Sequence, residues 1–374
     1  MRNAGPTESW APYMTWAKHH PPATYDLCGS NLLHLSLDEL KDARRTLEIS
    51  ARNDDGYPPL VEAIAQRYGV AADRVATGAG AAGAAFLAMG ALLRPGDTVL
   101  VEFPGYDPLV GAARFLGANV KFFERAWKDG WKIDVDRLAQ DLTPTTRLIV
   151  LTNLHNPTGV YTDPWTLLAI GDMADAIGAK VLVDEVYLET ITGKDTTPAA
   201  TRSEAFISVS SLTKAFGLAG LRVGWVLADP ETVQRVRRVR DIVDGVGSVP
   251  SEKLGTVAFE HIDQLLARAR HILEPHAVLL RRFVETRPEL DWAAPAEGAS
   301  IGFPRLVGLD DCEPFVDFAL ERFGVGVVAG RHFGAPAHFR VAVGGRRRQV
   351  AEGIEALGAA LDAWTKERGG PGHY

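Results

Sequence analysis

Cysteine is almost absent from this chain: Cys28 and Cys312 are the only two in 374 residues. Two thiols so far apart form no CxxC or Cys/His spacing, so no metal site of that kind is expected. They give no disulfide framework either, which fits a reducing compartment. A basic excess is also lacking, since 40 Lys and Arg stand against 47 Asp and Glu, for a net charge of −7. That balance leaves no electrostatic footprint for nucleic acid. The densest basic stretch, 235–240, has helical spacing and reads as a solvated helix face, as does Arg346-Arg347-Arg348 at the start of the last helix. No apolar run approaches the roughly 20 residues of a membrane span. Residues 1–10 have no apolar core of signal-peptide type. The expectation is a soluble, cytoplasmic protein without membrane or nucleic-acid partners.

What the chain does have is a globular apolar share of 46% and enough length for a large core in one or two domains. From about residue 50, short β-rich runs alternate with helical stretches. The spacing predicts strands over 98–102, 120–123, 147–152, 180–185, 206–210 and 222–228, apolar on both faces as buried parallel strands are. Helices are predicted over 59–68, 81–93, 106–116, 164–177 and 230–243, with Pro95-Gly96-Asp97 and Gly117-Ala118-Asn119 as stop and turn signals. This alternation implies an α/β layered domain with a mainly parallel sheet. Beyond residue 252 the texture changes to one long charged helix over 251–286. Short strands follow near 300–306 and 338–343, and a closing helix near 346–368. We assign 45–275 to a large domain. Residues 1–44 and 276–374 are assigned to a smaller, discontinuous α+β domain.

Six places carry residues with chemistry. Lys214 lies in Ser211-Leu212-Thr213-Lys214-Ala215-Phe216-Gly217, with Arg222 eight residues on. A lysine amine can form a Schiff base with an aldehyde cofactor. Ser211 and Arg222 can hold phosphate oxygens through a hydroxyl and a guanidinium fork. Gly78-Ala79-Gly80-Ala81 follows a short strand and opens a helix, where small residues and free N–H groups suit a phosphate, although the same pattern also serves close packing. Tyr106, just past a strand end, could stack on a planar ring or simply fill the core. Asn156, in Asn153-Leu154-His155-Asn156-Pro157-Thr158-Gly159, follows a strand end and could donate to a ring hydroxyl oxygen; His155 reads as structural. Asp184 ends an apolar strand and needs a cationic partner, such as a protonated pyridine nitrogen, with Tyr187 able to reach a phenolate oxygen and Glu185 facing away. Arg340, in a short apolar strand, needs an anion: a substrate carboxylate, or a buried structural partner.

Together these residues resemble the class I/II aminotransferases, fold-type I enzymes that use pyridoxal 5'-phosphate. The resemblance runs from Gly56-Tyr57-Pro58-Pro59 to Arg340 and rests on the Asn156-Pro157-Thr158-Gly159, Asp184-Glu185-Val186-Tyr187 and 211–222 segments in combination. It implies a seven-stranded, mainly parallel sheet, a small domain and a homodimer with sites at the interface. By position, Lys214 would be the Schiff-base lysine and the proton shuttle between substrate Cα and the cofactor. Tyr106 would stack on the ring, Asn156 and Tyr187 would hold its phenolic oxygen, and Asp184 its nitrogen. The Gly80 and Ala81 amides, Ser211 and Arg222 would hold the phosphate. Arg340, helped by Asn156, would bind the substrate carboxylate, and Ser30 lies where the family closes its small domain.

This chain departs from the family pattern at three points. Ala51 stands where many members have a tyrosine that touches the neighbouring subunit's phosphate, leaving Arg52 or Asn53 as substitutes. Ala81 replaces a common hydroxyl residue. Asp244 falls near the position where dicarboxylate-specific members carry an arginine, which predicts poor use of aspartate and glutamate. The implied activity is amino transfer between an L-amino acid and a 2-oxo acid. The alternative is elimination, replacement or side-chain cyclisation on the same scaffold, as in capreomycidine-forming cyclases. A non-catalytic binding protein would be expected to have lost at least one of these residues. The glycine-rich loop lacks the third glycine of a dinucleotide fingerprint.

Overall fold

The computed structural model describes residues 10–367. Seven strands form its central sheet: β1 (Val75–Ala79), β2 (Thr98–Phe103), β3 (Asn119–Glu124), β4 (Thr146–Thr152), β5 (Lys180–Asp184), β6 (Phe206–Ser211) and β7 (Val223–Leu227). They lie in the order β1-β7-β6-β5-β4-β2-β3. All neighbours are parallel except β7, which runs antiparallel to both β1 and β6. Helices α1 (Pro12–His19), α2 (Pro58–Tyr68), α3 (Gly80–Leu92), α4 (Asp107–Phe115), α5 (Pro164–Ala176) and α6 (Pro230–Val243) flank it. They are followed by α7 (Val249–Glu260), α8 (Ile262–Glu285), α9 (Glu313–Phe323) and α10 (Arg347–Glu367).

Strand pleating distributes the apolar residues to two cores. Ile149, Leu151, Val181 and Val183 pack on one face with Leu60 and Ile64 of α2, Ile170 of α5 and Ala258 of α7. Leu148, Val150, Leu182 and Ile207 pack on the other with Ala84 and Ala88 of α3, Leu109 of α4 and Val233 of α6. Such side chains stabilise by about 1.5–3 kcal/mol each when fully buried. The helices start where the chain supplies caps: Asp163 accepts from the N–H groups of Trp165 and Thr166, and Asp229 from that of Thr232.

A third core joins Leu273 and Leu280 of α8, Phe315 of α9 and Leu357 of α10 to Leu27, Phe339 and Val341. It carries a three-stranded antiparallel sheet in which Phe339–Ala342 lies between Ile301–Gly302 and Val328–Ala329. The N-terminal segment joins it through parallel pairing of Tyr25–Asp26 with Val325–Gly326.

Four expectations are corrected. The single helix over 251–286 is two helices that meet at His261. The strand near 300–306 is two short ones, interrupted at Phe303-Pro304. The 120–123 run, expected to be buried on both faces, is the edge strand β3, paired with a neighbour on one side only, and Lys121 and Phe122 are exposed there. The basic stretch 235–240 is not wholly solvated either. Arg240 is 2% exposed; its Nη1 donates to Thr77 Oγ1 at 2.7 Å and its Nη2 to Glu252 Oε1 at 3.2 Å. Glu252 also accepts from Thr77 Oγ1 and from the Tyr57 N–H, so the pair ties α6 and α7 to β1 and to the start of α2.

Arg240→Ala leaves Glu252 buried without its cation, so urea unfolding should show a loss of about 3–5 kcal/mol. The neighbouring Arg238→Ala removes only exposed pairs with Asp55 and Asp241 and should cost under about 1 kcal/mol. Equal losses in the two variants would contradict this assignment.

Candidate active site

The carboxyl ends of β4, β5 and β6 open onto one cleft, the position at which parallel sheets bind ligands. Thr152 ends β4, Asp184 ends β5 and Ser211 ends β6. The segment after β6 turns back through Lys214. The Lys214 Nζ donates to Ser30 Oγ at 2.9 Å and to Asn31 Oδ1 at 2.8 Å. Burial lowers its pKa to about 8, with Arg340 and Arg222 adding to the effect and Asp184 opposing it. Ser30 was expected at the site. Asn31 was not, although it is the next residue in the same segment.

Asp184 is 6% exposed, and burial raises its pKa to about 7. Its Oδ1 accepts one bond, 3.2 Å, from the Val186 N–H. Tyr187 is buried beside it, its ring 5.9 Å below the Lys214 amine. Glu185 turns away, as expected, and accepts from the Ala199 N–H.

Arg340 lies across the cleft, fully buried. Its Nη1 donates to Asn156 Oδ1 at 3.0 Å, and its Nη2 to the Tyr13 phenol oxygen and to Cys28 O. The guanidinium carbon stands 5.1 Å from the Tyr13 ring centre and 4.8 Å from that of Phe333, and the two rings are themselves 5.2 Å apart, so both meet the cation from one side. Tyr106 presents its edge to Tyr13, with centroids 5.9 Å apart. Tyr13 and Phe333 had no motif around them, and only the fold brings them here.

The phosphate-type corner is built by glycine and strain. α3 begins at Gly80, whose φ is +71°, and the Arg222 guanidinium lies so close that a Cβ on Gly80 would sit 2.2 Å from Nη2. A Cβ on Gly224 would sit 2.3 Å from the Gly80 carbonyl carbon, so β7 and the helix start touch backbone to backbone. Arg222 itself has φ 53°, a left-handed conformation that is costly for a non-glycine residue. Its Nη2 donates to Ala79 O and its Nη1 to Thr213 Oγ1 and Ala219 O. Ser211 is buried, and its Oγ accepts from the Thr213 N–H.

Behind the cleft lies an ion pair that was not anticipated. Glu102 and Arg125 meet at 2.9 Å with both side chains buried. Glu102 Oε1 accepts from the Thr152 N–H and hydroxyl, and Thr152 Oγ1 accepts from the Asn156 N–H. An acidic residue at the end of β2 was the available signal, but its partner lies 23 positions away. His155 is structural, as expected: Nε2 meets Pro104 O, Nδ1 meets Thr158 Oγ1, and burial holds its pKa well below the usual value. Asp244, read as facing substrate, stands 3.5 Å from Arg240 Nε on the same helix turn. Among the described residues no cluster of His, Cys, Asp and Glu could hold a metal, and no helix is long and apolar enough to cross a membrane.

The residues fit pyridoxal 5'-phosphate. A carboxylate as buried as Asp184, with one backbone bond, suits a cationic ring nitrogen. The absence of a side chain on Gly80 lets the Arg222 guanidinium lie against the start of α3, so that a cation and helix N–H groups stand together where a phosphate would be held.

Residues 26–357 match the model of the family described as aminotransferase class I and II. The chain is 32% identical over 310 residues to capreomycidine synthase of Streptomyces vinaceus, a match covering 79% of this chain and 76% of that protein. Its structure is similar to that of a PLP-dependent aminotransferase from Streptococcus suis, with TM-score 0.89, 28% identity and coverage of 96% and 99% of the two chains. It is also similar to the PLP-dependent cyclase OrfR, with TM-score 0.85, 28% identity and coverage of 97% and 99%.

The desolvated amine gives a direct pH test. In cofactor-free protein, acetic anhydride labelling of Lys214, followed by peptide mass spectrometry, should rise with a midpoint at about 8. A midpoint near that of an ordinary lysine, about 10.4, would contradict the burial argument.

Proposed function

The chain belongs to the class I and II aminotransferase family, whose enzymes use pyridoxal 5'-phosphate, and from that premise we propose that it moves an amino group between an L-amino acid and a 2-oxo acid. The observation that carries this reading is Lys214: an amine with its pKa lowered to about 8, in a cleft that also holds Asp184 and Arg340.

When bound, pyridoxal 5'-phosphate supplies an electrophilic carbonyl and an electron-withdrawing pyridine ring. Under this reading Asp184 holds a proton on the ring nitrogen, Asn156 and Tyr187 hold the phenolic oxygen, and Tyr106 lies against the ring. Ser211, Arg222 and the Gly80 and Ala81 amides hold the phosphate. Arg340 orients the substrate by its α-carboxylate, so that the Cα proton faces Lys214. The Lys214 Nζ takes that proton and delivers it to the cofactor's C4′. A base with a pKa near the working pH performs both transfers well. Burial of the cleft keeps water from competing for the proton.

A second reading is favoured by the resemblance to capreomycidine synthase and to the cyclase OrfR. In it, Lys214 removes the same Cα proton, but a group then leaves Cβ and the side chain closes a ring.

The test is to incubate cofactor-loaded protein with single L-amino acids, with and without 2-oxoglutarate, and to identify products by mass. Glutamate, with the donor's 2-oxo acid formed over many turnovers when acceptor is present and in no more than one equivalent per site without it, is the expected result. A ring-closed product or free ammonia, formed without acceptor, would replace it with the second reading. Lys214→Ala should lower kcat by at least about 10²–10⁴-fold. Asp184→Ala should lower it by about 10²–10³-fold, the scale of one lost preorganised electrostatic contact. A wild-type rate in either variant would overturn the assignment of that residue.

A further inference from the structure

The donors of Arg340 are already committed in a way that bears on substrate entry. A guanidinium has five N–H groups, and a carboxylate can be gripped by two of them in two ways: end-on through Nη1 and Nη2, or side-on through Nε and Nη2. Both arrangements need an N–H of Nη2. In this structure Nη2 donates to Cys28 O at 3.1 Å and to the Tyr13 phenol oxygen. Nε has no partner, and Nη1 donates to Asn156. A fork on a carboxylate therefore requires one Nη2 partner to leave. Cys28 O cannot leave cheaply: its segment is held on the small sheet by the Ala342 N–H to Leu27 O bond, and Cys28 itself is buried. Tyr13 sits on the short helix α1, and its hydroxyl reaches Arg340 through a rotatable side chain. α1 packs on α4, where the Tyr13 N–H donates to Asp107 Oδ2 at 2.7 Å.

We propose that Tyr13 is a built-in competitor for the substrate carboxylate, its phenol occupying the Arg340 Nη2 that a carboxylate must take, so that it sets how tightly the site accepts its substrates. The inference rests on the reading of Arg340 as the carboxylate site. Binding then carries a threshold, the loss of the Tyr13–Arg340 contact, that only a fork-forming anion repays. Neutral or weakly held molecules leave the Tyr13 phenol in place on Arg340.

Calorimetric titration of the cofactor-loaded protein with propionate, an unreactive carboxylate, and with neutral propionamide tests this. Tyr13→Phe keeps the ring and removes the competing oxygen. Propionate should bind this variant about 5-fold more tightly than wild type, the scale of one net hydrogen bond, with propionamide unaffected. Unchanged or weaker propionate binding would overturn the proposal, since a phenol that donates to the bound carboxylate predicts weakening. Arg340→Ala separates the two levels of the argument. If it abolishes propionate binding while Tyr13→Phe changes nothing, the carboxylate site stands and the competitor does not. If propionate binds Arg340→Ala as it binds wild type, the reading of Arg340 itself falls.

Discussion

The cleft depends on the buried pairing of Glu102 with Arg125. Removing two opposite charges from water is expensive, and the pair persists only if every remaining donor and acceptor is met. Here they are met from four directions. Arg125 Nε donates to Trp131 O and Nη2 to Thr162 Oγ1, while Glu102 takes the backbone and hydroxyl donors of Thr152. Thr162 is locked in turn to Asn153 by reciprocal bonds at 3.1 Å. The pair therefore clamps the ends of β2 and β4 to the 153–162 turn. From Thr152 the chain of contacts passes to the Asn156 N–H, and through the Asn156 side chain to Arg340. The orientation of the Arg340 guanidinium is thus tied to a buried charge pair at the ends of β2 and β4.

Desolvation acts in opposite directions on the two groups that matter most. It lowers Lys214 to about 8 and raises Asp184 to about 7, so each is pushed towards its neutral form. The same burial makes each sensitive to whatever charge arrives. The segment after Leu27 closes the cleft from above. It is pinned at one side to Ala342, next to the strand position of Arg340, and at the other through the Leu35 N–H to Gly217 O, three residues from Lys214. Between those pins it supplies Cys28 O to Arg340, and Ser30 and Asn31 to Lys214. Arg340 and Lys214 are consequently held by one stretch of backbone, and neither can shift without pulling on the other.

Sheet and cleft were legible in the sequence to different degrees, for physical reasons. Buried parallel strands announce themselves as apolar runs, and β2 and β4 to β7 lie within a residue or two of their predicted limits. β3 misled because an edge strand can be as apolar as a central one, and only topology says which it is. Lys214, Asp184, Asn156 and Arg340 could be singled out because each is a polar residue at the end of, or inside, an apolar run, and the structure brings them to one cleft. Glu102, Arg125 and Tyr13 were missed because their meaning lies in partners distant in sequence. Arg240 was misread because the spacing of charges on a helix does not show that one turn of it faces Thr77 and Glu252 rather than water.

Removal of the Cα proton is common to amino transfer and to ring closure, so the base cannot decide between them. The outcome turns on what surrounds the substrate beyond Cα. On the sheet side the surroundings are Asp184, Tyr187 and Asn156, groups suited to the cofactor. The opposite wall is supplied by α1 and the 330–333 turn, where Tyr13, Trp16 and His332 cluster, with centroids at 6.2 Å for Tyr13–Trp16, 4.8 Å for Trp16–His332 and 6.3 Å for Tyr13–His332. Phe333 packs on Tyr13 and against Arg340. This wall is aromatic and carries one hydroxyl at the guanidinium, and the Tyr13 N–H anchors it to the Asp107 carboxylate. Burial raises the Asp107 pKa to about 6, so that contact is made by a carboxylate the site does not fully solvate. Whatever lies beyond the substrate Cα is therefore bounded by this aromatic wall, and not by the residues that the two reactions would share.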